Sequence, residues 1–129
     1  MKLNCFYCLL FALIFCLSCS KNNIKESVII EENMELQVLE AYKEGKQSLE
    51  RGDVLFAAKK FNEAEILFPQ SIWAPKSALM AAFSYYSQDY YSDAIAELER
   101  FIEIYPNYKH LDYAYYLLAI CYYEQIADE

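Results

Sequence analysis

The sequence predicts an all-α protein in which helical hairpins stack as a solenoid. One observation is internal repetition, because a set of small, apolar and proline residues recurs 37 residues farther along the chain. A second is the spacing of apolar residues by three and four from about residue 35 onward, which indicates amphipathic helices. The hydrophobic fraction of 57% with only two glycines argues against a disordered chain. The repeated positions are Gly45, Ala57, Phe61, Ala64 and Pro69, which correspond to Ala82, Ala94, Leu98, Phe101 and Pro106.

The spacing within each unit resembles the tetratricopeptide (TPR) pattern, whose usual period is about 34 residues. A small residue on the first helix of each hairpin is expected to face an alanine on the second, so that the helices approach closely. A proline then ends the second helix, since the residue before proline is disfavoured in the α region. A further shift from Ala82 reaches Ala119, which predicts two full units plus the first helix of a third. The expected close pairs are Gly45 with Ala57 and Ala82 with Ala94.

The chain begins with a predicted lipoprotein signal peptide, residues 1–18. Residues 3–18 are almost uninterrupted hydrophobics, too short for a membrane span and typical of a signal-peptide core. The segment ends in Leu17-Ser18-Cys19, which resembles a lipobox, although Cys16 stands where that pattern usually has leucine. Cys19 is therefore the predicted lipidation site. An ordinary signal peptide or a plain hydrophobic anchor is the alternative.

Residues 19–34 are mostly polar and are predicted to form a lipidated flexible tether to the membrane. A TPR domain is expected over residues 35–129, with repeats at about 36–69 and 72–106 and a partial repeat at about 110–129. The predicted helices cover about 34–51, 54–68, 72–88 and 91–105, and a fifth begins around 110–112. The second helix is expected to bury Leu55, Ala57, Ala58, Phe61, Ala64, Ile66 and Leu67.

Two single residues of the helical region have simple structural interpretations. Trp73, the only tryptophan, is expected to plug the junction between neighbouring hairpins, with direct binding of a partner as the alternative. Cys121 is expected to be a small buried hydrophobic residue rather than a reactive thiol.

The last predicted helix is apolar on nearly every side. Because a repeat array is expected to end in a helix with a polar outer face, we interpret the chain as the N-terminal part of a longer protein or as a truncated product.

The sequence carries no recognisable enzyme signature. It has no glycine-rich phosphate loop and no metal-ligand cluster, and its one histidine, His110, is expected at the surface where a helix starts. We therefore predict no catalytic residues, no metal and no cofactor. The net charge of −8 argues against nucleic acid and against electrostatic binding to anionic lipid. Membrane contact is then expected through the lipid alone.

Tyrosine is the unusual feature of the composition. Eleven of the thirteen tyrosines lie between Tyr85 and Tyr123, more than hairpin packing requires. In TPR proteins the first helix of each unit lines the concave face, and the repeat register places aromatic and apolar residues there. Such a groove suits an extended or C-terminal peptide with an aromatic residue, while packing against neighbouring helices is the alternative. The candidate groove residues are Tyr42, Lys46, Leu79, Phe83, Tyr86, Tyr116 and Tyr123.

From Cys19 to Glu129 the sequence resembles the BamD family of outer-membrane assembly lipoproteins. The specific motifs are P-x-S-x-W-A at 69–74, R-F-I-x-x-Y-P at 100–106 and the run DYAYYLLAICYYEQI at 112–126. The resemblance implies a non-enzymatic scaffold of the β-barrel assembly machinery, anchored by lipid at the periplasmic face of the outer membrane. The implied partners are a BamA-like barrel protein, other assembly lipoproteins and the C-termini of unfolded outer-membrane proteins.

The sequence is also compatible with two other function classes. One is a TPR lipoprotein of a different envelope system, such as a secretin pilotin or a coordinator of cell-wall synthesis. The other is a docking module fused to a catalytic domain farther along a longer chain. The 37-residue period and the tryptophan-containing link argue against the first.

Overall fold

The computed structural model describes residues 24–127, and side chains from residue 30 onward. This part contains five α-helices and no strand, which confirms the predicted all-α class. A compact unit begins at Glu31. None of the helices in residues 24–127 has both the length and the hydropathy needed to span a membrane. The signal peptide and Cys19 lie outside the described residues. The helices are α1 Ile24–Glu50, α2 Val54–Leu67, α3 Ala74–Tyr86, α4 Tyr91–Ile104 and α5 Leu111–Ala127.

Helices α2 to α5 agree with the predicted boundaries to within about two residues. Helix α1 does not, because it begins at Ile24, ten residues before the predicted start near Met34. Residues 24–34, expected to be flexible tether, are therefore helical. The reason is local composition, since no glycine or proline occurs between residues 24 and 44 and Glu, Lys, Met and Leu all favour helix. The rest of the domain division stays a prediction.

Helices α1 and α2 pack closely where glycine leaves room for an aromatic ring. A methyl group built on Gly45 would lie 2.9 Å from Cδ1 of Phe61, whose side chain is completely buried. The ring of Phe61 therefore fills the space beside Gly45, and the pairing of Gly45 with Ala57 stays a prediction. The turn between the helices uses Gly52 at φ 80°, and Asp53 caps α2 by accepting a hydrogen bond from the Phe56 amide at 3.3 Å.

The predicted inward face of α2 is right for five residues and wrong for two. Leu55 and Ile66 are 54% and 74% exposed. On a helix of 3.6 residues per turn, both lie roughly opposite the buried stripe. Glu65, in contrast, is buried, and it is hydrogen-bonded there to Arg100 of the second hairpin. The residues that do face inward are Ala57, Ala58, Phe61, Ala64 and Leu67.

A hydrophobic cluster joins α3, α4 and α5. Ala82 and Ala94 are both completely buried in it, as the repeat pattern predicts. Leu98 and Phe101 of α4 pack in the same cluster as Leu117 and Cys121 of α5. Cys121 is a free, buried cysteine, and burial raises the pKa of its thiol, in keeping with the predicted packing role.

A buried carboxylate connects the first hairpin to the second. Glu65 of α2 is only 6% exposed and accepts two hydrogen bonds from the Arg100 guanidinium of α4, at 2.9 and 2.7 Å. The Tyr105 hydroxyl donates a third at 2.8 Å, and Glu97 holds the other side of Arg100 at 2.9 Å. A paired and fully hydrogen-bonded carboxylate is tolerated at this depth, whereas an unpaired one is strongly destabilising. We call Glu65, Glu97, Arg100 and Tyr105 the polar clamp.

We expect Gly45→Val to lower the free energy of unfolding by about 1–3 kcal/mol, because its side chain meets the buried Phe61 ring. Lys46→Val is the matched control, since Lys46 is the next residue of the same helix and its side chain is 63% exposed. Urea unfolding of both variants measures the difference. Equal stability of the two variants would contradict the close approach of α1 and α2.

Stability is expected to fall at alkaline pH because of Tyr105. Burial and the hydrogen bond to Glu65 raise the pKa of its phenol well above the ordinary value near 10. Above a pH of about 10 the unfolded chain releases this proton while the folded chain retains it, so the free energy of unfolding decreases as pH rises. One such proton contributes a slope of up to about 1.4 kcal/mol per pH unit. Tyr105→Phe should show a shallower slope in urea unfolding between pH 9 and 11, and an unchanged slope would refute this account.

Candidate functional site

The first helices of the second and third repeats border a hollow on one face of the structure. A cavity of about 490 Å³ lies between α3 and the start of α5. A second hollow of about 420 Å³ lies beside it, toward the link that precedes α3. Both are lined by Lys76, Tyr108 and Lys109, so they form one continuous groove. We call it the inner groove. Its lining residues are Ile72, Trp73, Pro75, Lys76, Leu79, Met80, Phe83, Tyr108, Lys109, His110 and Tyr113.

An aromatic stack supports one end of the inner groove. The rings of Tyr42 and Trp73 are 5.1 Å apart, and Tyr42 also makes an edge contact with Phe61 at 5.3 Å. The Lys76 ammonium lies 4.6 Å from the Trp73 ring and 5.0 Å from the Tyr42 ring, which are cation–π distances. Trp73 thus packs at the junction between the hairpins, as predicted.

The link before α3 is fixed by short hydrogen bonds. The Ser71 hydroxyl accepts from the Trp73 amide at 3.0 Å and donates to Glu35 of α1 at 2.8 Å. The Trp73 carbonyl then accepts from the Ser77 amide at 2.8 Å. These bonds place Trp73 at the position just before α3 begins, where Pro75 occupies the first turn without needing its missing N–H. The backbone of Trp73 is therefore held to α1 through Ser71 and to α3 through Ser77.

The loop between α4 and α5 forms the opposite wall. The Tyr108 ring makes edge contacts with Phe101 at 5.7 Å and with His110 at 5.6 Å. Backbone hydrogen bonds of 3.0 Å from Tyr108 to Tyr105 and from Leu111 to Tyr108 hold the loop in consecutive turns. Burial raises the pKa of the Tyr108 phenol, and the neighbouring Tyr42 raises it further. The loop is thus tied to the core through Phe101.

Aromatic rings continue along the groove on both sides. On α3, Phe83 lies 6.2 Å from Tyr86 between ring centroids. On α5, Tyr113 lies 6.4 Å from Tyr116. Burial raises the pKa of the Tyr113 phenol, with smaller contributions from Tyr86 and Tyr116, so these three rings are neighbours. Aromatic surface with hydroxyl groups at its edge therefore extends along α3 and α5.

The structure brings together most of the predicted groove residues. Leu79 and Phe83 line the cavity itself. Tyr86 and Tyr116 flank it through their contacts with Phe83 and Tyr113. Tyr42 is 9% exposed and lies beneath Lys76, so it supports the groove more than it lines it. The binding role of these residues stays a prediction.

Two predicted groove residues lie elsewhere. The Lys46 ammonium is 3.7 Å from the Glu50 carboxylate on the exposed side of α1. Tyr123 is 70% exposed and lies about two helical turns beyond Tyr116 on α5, away from the cavity lining. The repeat register alone did not separate these positions from those that line the groove.

Several lining residues were not predicted, and they share a location at the edges of repeats. Lys76 is one turn after Trp73, and Tyr108, Lys109 and His110 precede the first residue of α5. The TPR register predicts groove residues only along the first helix of each repeat, so it does not include the links between repeats. The signal that was available is the Tyr108-Lys109-His110 tripeptide, which combines an aromatic with two basic side chains in a short link.

The described residues offer no arrangement for metal binding. Within residues 24–127, histidine, cysteine, aspartate and glutamate side chains do not assemble into any group of three or more that would ligate an ion. His110 is exposed, and its carbonyl accepts a 3.4 Å hydrogen bond from the Ala114 amide, which places it at the start of a helix as predicted.

Comparison with known proteins decides the family. Residues 34–129 match the family described as YfiO, outer membrane lipoprotein. The chain belongs to this family. The resemblance stated from the sequence motifs is thereby confirmed.

Several relatives carry the description outer membrane protein assembly factor BamD, three of which are compared with this chain. The protein from Caulobacter vibrioides is 38% identical over 104 residues, which cover 81% of this chain and 33% of the relative. Those from Neisseria gonorrhoeae and Rickettsia prowazekii are 34% and 33% identical over 79 and 87 residues, covering 61% and 67% of this chain and 30% and 35% of the relatives. The chain spans about a third of the length of these relatives.

Removal of the Tyr42 ring should disturb both the core and the groove. We expect Tyr42→Ala to reduce the free energy of unfolding by about 3–5 kcal/mol, because a large buried ring is lost. The fluorescence of Trp73 should shift to longer wavelength as its ring becomes hydrated. Tyr42→Phe is the control and should retain both properties. Unchanged Trp73 emission in Tyr42→Ala would argue against the stack.

Proposed function

We propose that this chain forms the substrate-receiving part of a non-enzymatic scaffold for outer-membrane protein assembly. The observation that carries the proposal is the inner groove, an aromatic channel bordered by the first helices of successive repeats in a member of the YfiO family. The relatives' description as assembly factors supports the same role. The proposed ligand is an unfolded outer-membrane protein, bound through an extended C-terminal segment.

The chemistry of the groove supports an extended peptide over a folded partner. The cavity of about 490 Å³ lies in the range typical of small-ligand sites, about 300–1,000 Å³. It admits a few side chains but not a folded surface. Phe83, Tyr108 and Tyr113 supply apolar ring surface, and the tyrosine hydroxyls supply hydrogen-bonding groups at the edge. An aromatic side chain at the end of an unfolded chain matches both features.

We further propose that the protein acts at the outer membrane together with other assembly proteins. Lipid on Cys19 would hold the protein at the periplasmic face of the outer membrane, and several acyl chains would make this anchor stable. The proposed partners are a BamA-like barrel protein and other assembly lipoproteins. With the scaffold fixed to the membrane, the groove would receive unfolded chains close to the site of their insertion.

Photo-cross-linking in living cells tests substrate binding at the groove. A photoreactive phenylalanine analogue replaces Phe83 in the inner groove, and in a second strain it replaces Ile66. Ile66 is 74% exposed on the opposite side of α2 from the buried stripe, so it is a matched control. We expect unfolded outer-membrane proteins to cross-link at position 83 several times more than at position 66. Equal cross-linking at the two positions would contradict the proposal.

A pull-down from detergent-solubilised envelopes tests the assembly-machinery assignment separately. We expect a tagged full-length protein to recover the BamA-like barrel protein. Recovery of secretin or cell-wall synthesis proteins in its place would favour a different envelope system and would reject the assignment. Cys19→Ala serves as the anchor control, and it should release the protein from the membrane fraction.

A further inference from the structure

Helix α5 presents a broad apolar face to solvent. The helix packs against α4 and α3, and its buried residues are Ala114, Leu117 and Cys121. On the side away from these residues, four tyrosines and Ile126 are between 42% and 73% exposed. A contiguous exposed apolar patch of this size marks an interaction site. We call it the α5 face, which consists of Tyr115, Tyr116, Ala119, Tyr122, Tyr123 and Ile126.

The sequence of the α5 face is nearly the same in both directions from Ala119. Residues 115–123 are YYLLAICYY, so a pair of tyrosines lies at equal distance on either side of Ala119, with Leu118 and Ile120 as its immediate neighbours. Ala119 is exposed, and it is the smallest residue of the face. A two-fold contact brings the same patch of two molecules together. A tyrosine pattern that is symmetric about one small residue is therefore suited to pairing with a second copy of itself.

We propose that the α5 face binds the α5 face of a second copy of this chain, as an antiparallel helix pair centred on Ala119. Tyr115 of one copy then lies beside Tyr123 of the other, and Tyr116 lies beside Tyr122. Ala119 meets its own symmetry-related residue, where its small side chain lets the two helices approach closely. Tyrosine rings pack against each other in edge or offset contacts, and their hydroxyl groups remain near the solvent at the rim.

Charge favours the antiparallel direction over the parallel one. Asp112 is exposed in the first turn of α5, one turn before Tyr116. A parallel pair would bring the two Asp112 carboxylates together in a protein whose net charge is already −8. In the antiparallel pair they lie about 20 Å apart along the helix axis, because 14 residues separate Asp112 from the position that faces it. The six residues of the face are uncharged, so their burial requires no ion to be desolvated.

The area of the α5 face is sufficient for a dimer. An aromatic side chain buries about 150–250 Å² when fully covered, so the exposed parts of the four tyrosines and Ile126 amount to about 600 Å² per copy. The pair would then bury about 1,200 Å² in total, the lower limit of specific protein interfaces. We therefore expect a dissociation constant in the micromolar range.

The α5 face is separate from the inner groove. Tyr113, which lines the groove, lies about 120° around the helix from Ala119, since successive residues of an α-helix are about 100° apart. The proposed dimer therefore goes beyond the proposed function, and either can fail without the other.

Cysteine cross-linking tests the symmetry of the pair directly. Helix axes about 8–10 Å apart bring facing Cα atoms to within about 6 Å, which permits a disulfide between two Ala119→Cys copies. Ile66→Cys is the matched control, because Ile66 is 74% exposed on α2. The full chain in detergent is treated with a mild oxidant and analysed on a non-reducing gel, and the unmodified chain records any cross-link through its native cysteines. We expect several times more disulfide-linked dimer with Ala119→Cys than with either control.

A second pair of variants tests the contribution of the face to association. Ile126 and Ile66 are 73% and 74% exposed, so Ile126→Glu and Ile66→Glu add the same charge at equally exposed positions. In the dimer the new carboxylate at position 126 would lie close to Asp112 of the other copy. Sedimentation equilibrium of the full chain should show association weakened about tenfold or more by Ile126→Glu and unchanged by Ile66→Glu. Circular dichroism checks that both variants fold.

The outcomes decide which surface meets the second copy. A dimer that is cross-linked at position 119 and weakened only by Ile126→Glu supports the inference. A monomer at all concentrations overturns it and leaves the α5 face to a following segment of a longer chain or to an assembly partner. Equal cross-linking at positions 119 and 66, or equal effects of the two glutamate variants, also overturns it, because the copies would then meet elsewhere. Cross-linking of unfolded proteins at position 83 tests the inner groove independently of these results.

Discussion

The close approach of the helices is the constraint on which the rest of this structure depends. Gly45 leaves space for the buried ring of Phe61, and Ala82 and Ala94 occupy corresponding small positions in the next hairpin. Larger side chains at these positions would separate the helices and open the core to water. Because the hairpins are compact, their first helices lie near enough for α3 and the start of α5 to border one groove.

Two further contacts determine how the first hairpin meets the second. On one side, Glu65 of α2 is held by Arg100 and Tyr105 in the polar clamp. On the other, Tyr42 packs against Trp73 beneath Lys76. The two parallel hydrogen bonds between Arg100 and Glu65 fix the relative orientation of these two side chains. The Tyr42–Trp73 contact adds buried aromatic surface. Together they support the groove that we propose as the peptide site.

The repeat pattern was sufficient to predict the fold, but only part of the groove. Leu79 and Phe83 were found because they follow the register of the first helix, which packing determines. Tyr108 was not found, since the path of its loop depends on contact with Phe101, which no local sequence pattern encodes. Lys46 does not line the inner groove, and its ammonium lies 3.7 Å from the Glu50 carboxylate one turn away on the same helix. Long-range contacts and side-chain direction are therefore what the sequence did not supply.

Hydrogen exchange with and without a peptide ending in phenylalanine is the most direct test of the central claim, that the groove receives unfolded chains. If the account is right, bound peptide slows exchange in α3 near Lys76 and Phe83 and in the loop at Tyr108. Exchange on the outer side of α2, around Ile66, should not change. Protection confined to the outer side, or no protection anywhere at saturating peptide, would contradict the account.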